Sequence, residues 1–189
     1  MIEYVMNING FLFTLNILIH YVLLFGAVWS VAFPHKRIWP PPQKDSWQYR
    51  STWILFYLAF GLNAVFIYLD WNSWIFTQNA RFLIGIPLVI IGALLFSWGI
   101  ITLGTKNTAG IKGGFIAKGP YQFSRNPQYT GDMILFLGMI VVSNSLYVLI
   151  GNVLLILVFA ITPVAEEVWL EKAYGEEYRE YKRNTPRFL

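Results

Sequence analysis

The sequence predicts an all-α integral membrane protein of about five transmembrane helices, followed by an amphipathic C-terminal helix on the cytoplasmic side. Three observations predict it. Only 13% of the 189 residues are charged and 56% are hydrophobic, whereas a soluble domain carries roughly 25% charged residues. Apolar stretches long enough for a bilayer core, which takes ~20 helical residues per crossing, recur along the chain. Every basic residue except Arg81 falls in one of three segments that an odd number of crossings places on one side.

The first crossing is read at residues 11–33. It lacks a basic leader, exceeds the length of a signal-peptide core and has no small-residue cleavage site after it, so it is expected to stay as a helix. The second and third crossings are read at 51–69 and 81–103. The apolar region 133–165 is too long for one crossing, and Ser143-Asn144-Ser145 interrupts it with polar, helix-ending residues. Two helices joined by a tight turn are therefore predicted. The whole chain, 1–189, is expected to form a single membrane domain. Residues 1–80 would hold the first two helices and an outer loop, and 81–189 a core that carries the chemistry.

Lys36, Arg37, Lys44 and Arg50 lie in one connecting loop, and Lys106, Lys112, Lys118 and Arg125 in another. Lys172, Arg179, Lys182, Arg183 and Arg187 lie in the C-terminal segment. The positive-inside rule then puts the C-terminus in the cytoplasm and the N-terminus outside. The pI of about 9.3 thus reports sidedness in a membrane and no nucleic-acid partner. With no cysteine, disulfides, thiolate metal sites and cysteine nucleophiles are excluded.

Most tryptophans, Trp39 and Trp53 among them, fall near helix ends and read as interfacial belt residues. Pro40-Pro41-Pro42 reads as a stiff extended spacer. Asn16 and His20, four apart in the first helix, suit a packing hydrogen bond with another helix. Gly85, Gly92 and Gly99 form a seven-residue stripe that permits close helix approach. Gly104, Gly110, Gly113, Gly114 and Gly119 crowd one loop, which fits either a flexible connector or a backbone that must approach a ligand closely.

Two polar clusters sit at helix mouths. In the first, 124–132, Asn126 suits a helix N-cap and Pro127 the first turn, which places Tyr129 and Asp132 on one face. The second is Glu166-Glu167, directly after the last apolar run, where Pro163 is expected to kink the helix. A helical hairpin returns this pair to the depth of Asn126 and Tyr129. Adjacent carboxylates at an apolar boundary either mark a site or begin a solvated charged helix, since they need compensating partners in any case.

These residues, together with Lys118-Gly119-Pro120-Tyr121 and Tyr174-Gly175-Glu176-Glu177-Tyr178, resemble the isoprenylcysteine carboxyl methyltransferase and phospholipid methyltransferase superfamily over about residues 92–189. The resemblance implies an integral membrane methyltransferase that uses S-adenosylmethionine (SAM), with a cytoplasmic cofactor pocket. Carried over by position, the cofactor contacts are Gly113, Gly114, Phe115, Ile116, Tyr121, Asn126, Pro127, Gln128, Tyr129 and Glu166. Glutamate suits a ribose diol or an ammonium, and tyrosine suits a sulfonium cation.

Two positions depart from the carboxyl methyltransferases: Asn126 stands where they have histidine, and Thr162 where they have an arginine that faces the substrate. Without that arginine a prenylcysteine carboxylate is a poor candidate, whereas the Tyr-Gly-Glu-Glu-Tyr segment leans back toward that subfamily. The expected reaction is in-line methyl transfer to an amine, thiol or oxygen nucleophile of a lipophilic small-molecule acceptor entering from the membrane, without a metal, and membrane lipids are the expected surroundings. Asp132 or Glu167 would be the proton acceptor. A membrane reductase of the sterol-reductase type using NADPH, or a scaffold whose basic face binds anionic lipid, are the competing readings.

Overall fold

The computed structural model describes residues 2–75 and 79–188, without the side chains of 2–7, and among these residues it is helical with no strand. Residues 76–78 of the expected outer loop lie outside the described residues. The order is α1 (Ile2–Ala32), α2 (Trp47–Leu69), α3 (Arg81–Thr108), α4 (Pro127–Ser143), α5 (Leu146–Tyr174) and α6 (Glu176–Asn184). Short 3-10 turns at Pro34–Lys36 and Gly119–Gln122 sit in the basic loops.

Four helices, α1, α2, α3 and α5, are long and apolar enough to cross a bilayer. α5 is the central one: half of its most apolar window is buried, against 17% for α3. The outward residues are those lipid tolerates, such as Leu83 and Ile101, each 80% exposed. α4, with 17 residues, falls just below that length. It runs antiparallel between α3 and α5, from the basic loops to the Ser143-Asn144-Ser145 turn.

That turn has the predicted form. Asn144 ends α4 in the left-handed region at φ 48°, where asparagine is tolerated. Ser145 caps α5 by accepting from the Val148 N–H at 3.1 Å. Asp70 clasps the turn to the end of α2, its Oδ2 accepting from Ser145 Oγ at 2.6 Å, Ser73 Oγ at 2.8 Å and the Tyr147 N–H at 3.1 Å.

The glycine stripe packs α3 on α4. A Cβ on Gly85 would lie 2.6 Å from Val142, and one on Gly99 3.1 Å from the Gln128 backbone. α4 answers with a matching pair: a Cβ on Gly131 would meet the Phe96 backbone, and one on Gly138 would lie 2.6 Å from Val89 N. On the other side α1 and α2 pack on α5 around Ile19, Leu23, Phe56, Ala59, Phe136, Leu155, Val158 and Phe159. Of the expected Asn16–His20 pair, His20 Nδ1 bonds its own helix, 2.6 Å from the Asn16 carbonyl, with both side chains buried against Gly151 of α5.

Two expectations change. α3 does not end at 103 but continues through Thr108 past a break at Gly104 (φ 78°, ψ 155°). Asn107 bridges the break, its Nδ2 donating to Leu103 O at 3.2 Å and to Gly114 O at 2.9 Å. The prolines are more than a stiff extended spacer: Pro40 and Pro41 are fully buried, and Pro41 packs on Gly110. α5 continues past Pro163 through Glu166 and Glu167 to Tyr174.

Gly138→Ala should cost about 1–3 kcal/mol of stability in detergent, because backbone must move to admit the methyl. Gly61→Ala, with nothing within 4 Å of its Cβ position, should be neutral or stabilising by up to about 1 kcal/mol. Thermal melts of the two variants check this, and equal shifts would contradict the packing assigned to the stripe.

Candidate functional site

At the basic face, three segments converge on one carboxylate. Glu166 Oε1, on α5, accepts from Tyr129 Oη of α4 at 2.6 Å and from Trp39 Nε1, in the loop after α1, also at 2.6 Å. Its Oε2 has no hydrogen-bond partner among the described residues. Each donor follows from its surroundings in the chain: Tyr129 lies in the first turn of α4, and the buried prolines deliver Trp39, itself only 8% exposed. Trp39 is therefore no interfacial belt residue, as the sequence suggested, but part of the site. Its contact lies 127 residues away, and no local pattern signals it.

Glu166 lines an open cavity of about 730 Å³, solvent at its mouth included. Of the residues expected at a cofactor, Gly114, Phe115, Ile116, Tyr121, Asn126, Gln128, Tyr129 and Glu166 share this lining. Gly113 and Pro127 do not. Gly113 turns its carbonyl to Tyr174 Oη at 3.3 Å, and Pro127 is buried as the first residue of α4.

Asn126 stands at the N-cap position without a capping side chain. Its Nδ2 donates instead to the Arg187 carbonyl at 3.0 Å, which ties the C-terminal tail to α4. Phe115 is surrounded by Tyr174, Tyr178 and Tyr181, with ring centroids at 5.4, 6.5 and 5.5 Å. Arg125, which the sequence did not single out, lines the same cavity, and its Nε is buried without a hydrogen-bond partner among the described residues.

Glu167 points elsewhere. It lines neither this cavity nor its neighbour, and three cations hold it. Arg187 is bidentate, Nε to Oε1 at 2.6 Å and Nη2 to Oε2 at 3.1 Å. Arg125 lies at 3.1 Å and Lys182 at 3.0 Å. Successive helical residues differ by about 100°, so the two adjacent glutamates face different ways. Glu167, one of the two expected proton acceptors, is placed here outside both cavities with its oxygens paired to these cations.

The tyrosines around the cavity stay protonated at neutral pH. Burial, with the charge of Glu167 adding to it, pushes Tyr178 up to about 12, and burial raises Tyr121 and Tyr181 as well. Tyr181 Oη can thus donate to Tyr121 O at 2.6 Å. On α6, the hydrogen bond to Glu171, reinforced by Glu167, holds Lys182 above the usual lysine value.

A second cavity, about 1210 Å³, lies between α2 and α3 over α4 and α5. Its walls are apolar, among them Trp53, Phe56, Phe60, Phe96, Phe136 and Phe159, and Tyr57 at its rim is 68% exposed where lipid would lie. No lysine or arginine lines it. Asp132, the other candidate proton acceptor, lines this cavity, as does Thr162, whose hydroxyl donates to Val158 O at 2.7 Å. The two cavities share Thr108, Gln128 and Tyr129.

The family model described as phospholipid methyltransferase matches residues 80–177, a little over half of the chain. The chain belongs to the phospholipid methyltransferase family. It is 29% identical over 109 residues to protein-S-isoprenylcysteine O-methyltransferase B of Arabidopsis thaliana, covering 54% of this chain and 55% of that one. It is 29% identical over 114 residues to phosphatidylethanolamine N-methyltransferase B of Dictyostelium discoideum, covering 54% and 57%. The chain thus spans slightly more than half the length of the curated relatives it matches. No solved structure matches it significantly. The family favours the methyltransferase reading over the reductase and the scaffold.

Because Glu167 is only 7% exposed but two of its three cations, Lys182 and Arg187, are 36% and 39% exposed, Glu167→Gln should cost about 1–3 kcal/mol, less than the penalty for breaking a fully buried pair. It should also free the tail to proteolysis. Melting and limited digestion read both effects, and a wild-type melt would contradict the tethering role.

Proposed function

We propose that this member of the family transfers a methyl group from SAM to the amine of a membrane-embedded lipid. The observation that carries the reading is the seam at Thr108, Gln128 and Tyr129, where a charged, aromatic cavity at the basic face meets an apolar cavity open to the bilayer. Donor and acceptor differ in polarity, and such a seam lets each keep its own solvent until they meet.

The residues of the first cavity fit the cofactor. Oε2 of Glu166, without a protein partner, suits an ammonium or a ribose diol, and the orphaned Nε of Arg125 suits a carboxylate. Phe115 with its tyrosines offers a face for a planar base. When bound, SAM supplies an electrophilic methyl on a sulfonium, whose positive charge the aromatic rings and Glu166 tolerate. Gly113 and Pro127 would act by shaping the loop and the first turn of α4 rather than by contact.

An amine is favoured by the absence of Lys and Arg from the second cavity, which leaves nothing to bind a carboxylate acceptor. Asp132 lines that cavity one helical turn beyond Gln128 and Tyr129. It can hold an ammonium headgroup by charge and take its proton, freeing the nitrogen lone pair for in-line attack. The seam would hold nucleophile and methyl in contact, where effective molarities reach roughly 10⁵ M.

In the membrane, α4 would be the shortest of five crossings, its 17 residues spanning about 25 Å. The basic face would lie in the cytoplasm with the C-terminus and α6, and the N-terminus outside. Residues 1–80 complete the acceptor cavity within a single membrane domain.

Glu166→Ala should weaken SAM binding about tenfold or more by calorimetry, and unchanged affinity would remove Glu166 from the site. Asp132→Asn should keep SAM affinity within about twofold while methylation of a native lipid extract by methyl-labelled SAM falls by roughly 10²-fold. Full turnover in that variant would dismiss Asp132 as the proton acceptor.

A further inference from the structure

Among the polar groups of the apolar cavity that methyl transfer does not use, Asn63 is the one that offers an unmet carbonyl acceptor. Asn63, on α2, lines the cavity wall and is 3% exposed. Its amide belongs to a chain whose direction is dictated from one end. Asn152 Nδ2 donates to the Phe136 carbonyl at 3.2 Å, and a carbonyl can only accept. Asn152 therefore turns its Oδ1 to Asn63, and Asn63 donates to it through Nδ2. What remains is Asn63 Oδ1, buried with no hydrogen-bond partner among the described residues.

A bond from α2 to α5 inside a bilayer explains the Nδ2 end of Asn63, because interhelical amide pairs hold membrane helices together. It does not explain the oxygen. A carbonyl oxygen left without a donor in an apolar wall costs free energy, so buried acceptors are nearly always satisfied. The same stretch of wall is built by Phe60, Phe136 and Met139. The missing donor therefore fits a group that arrives on an apolar chain.

Its depth can be read from α4. Asn63 is joined through Asn152 to Phe136, seven residues past Tyr129, which at 1.5 Å per residue is about 10 Å further from the basic face. We propose that Asn63 is a specificity residue that selects an acceptor lipid bearing a hydroxyl or amide N–H part-way along its chain, about 10 Å from the methylated atom. The proposal rests on the reading of this cavity as the acceptor's.

The test compares octadecylamine with its analogue carrying one mid-chain hydroxyl. The probes are presented to the full-length protein in nanodiscs, with binding followed by intrinsic tryptophan fluorescence and turnover by labelled SAM. Wild type should bind and methylate the hydroxylated amine about tenfold better, the discrimination expected of one buried hydrogen bond. The double variant Asn63→Leu/Asn152→Leu removes both partners of the amide bond and should bring that ratio to about one while SAM binding persists. Equal affinities in wild type, as a trapped water on Oδ1 would produce, overturn the proposal, and so does a ratio that survives the double substitution. If the double variant does not fold, the wild-type ratio decides alone. If SAM binds but neither amine does, the acceptor reading of the cavity fails and takes this proposal with it. If both amines bind equally and are methylated, only the role of Asn63 fails.

Discussion

A carboxylate at the edge of a bilayer has to be satisfied by groups the protein itself provides, and Glu166 meets that requirement with two donors from distant parts of the chain. Trp39 and Tyr129 both direct their hydrogens to one oxygen. The rest of the site follows from this. Bringing Trp39 inward draws the proline segment with it, and Pro41 then closes on Gly110, where any side chain would collide. The glycine-rich loop is thereby held over the cavity rather than left as a connector. The second carboxylate oxygen has no hydrogen-bond partner among the described residues.

The seven-residue glycine repeats on α3 and α4 serve the same end from the other side. Where lipid tails are as apolar as leucine, helices associate through close packing, and Gly92 and Gly131 let the two backbones meet without side chains between them. This sets α4 at a depth where its first turn, with Gln128 and Tyr129, forms the wall between the two cavities. α2 packs on α1 and α5 instead, and the space left between α2 and α3 is the apolar cavity. The ion cluster around Glu167 closes the arrangement by pinning the tail to Ser124, Arg125 and Asn126.

Much of this was legible in the sequence where the cause is local. Ser143-Asn144-Ser145 marked the turn because three polar residues cannot sit in the middle of an apolar helix without ending it. The spacing of Gly85, Gly92 and Gly99 marked a packed face because seven residues make two turns. A hairpin of two crossings brought Glu166 to Tyr129 on the same grounds. What sequence reasoning missed depends on long-range contact. Trp39 has the composition and position of an interfacial residue, and only the fold shows its N–H on Glu166. Arg125 read as one loop charge among several. The Glu166-Glu167 pair looked equivalent in composition, yet one residue of helical rotation sends the first to the cavity and the second to the tail. Asn126 had the right identity for a cap, and the tail recruited its side chain instead.

The ionisable groups divide by place, with Glu166 and Arg125 lining the cavity at the basic face, Glu167 paired with the tail and Asp132 lining the apolar cavity. The proposed chemistry assigns the first two to a zwitterionic cofactor and the last to an amine. This assignment depends on a reacting sulfur placed at the seam between the cavities. The most direct measurement is an experimental structure of the protein with S-adenosylhomocysteine bound. Its sulfur is expected beside Tyr129 and Gln128, facing the apolar cavity, with Glu166 Oε2 in contact with its ammonium or ribose. Density for the ligand on the opposite face of the membrane, or at the basic face with its sulfur turned away from Tyr129, would contradict that placement.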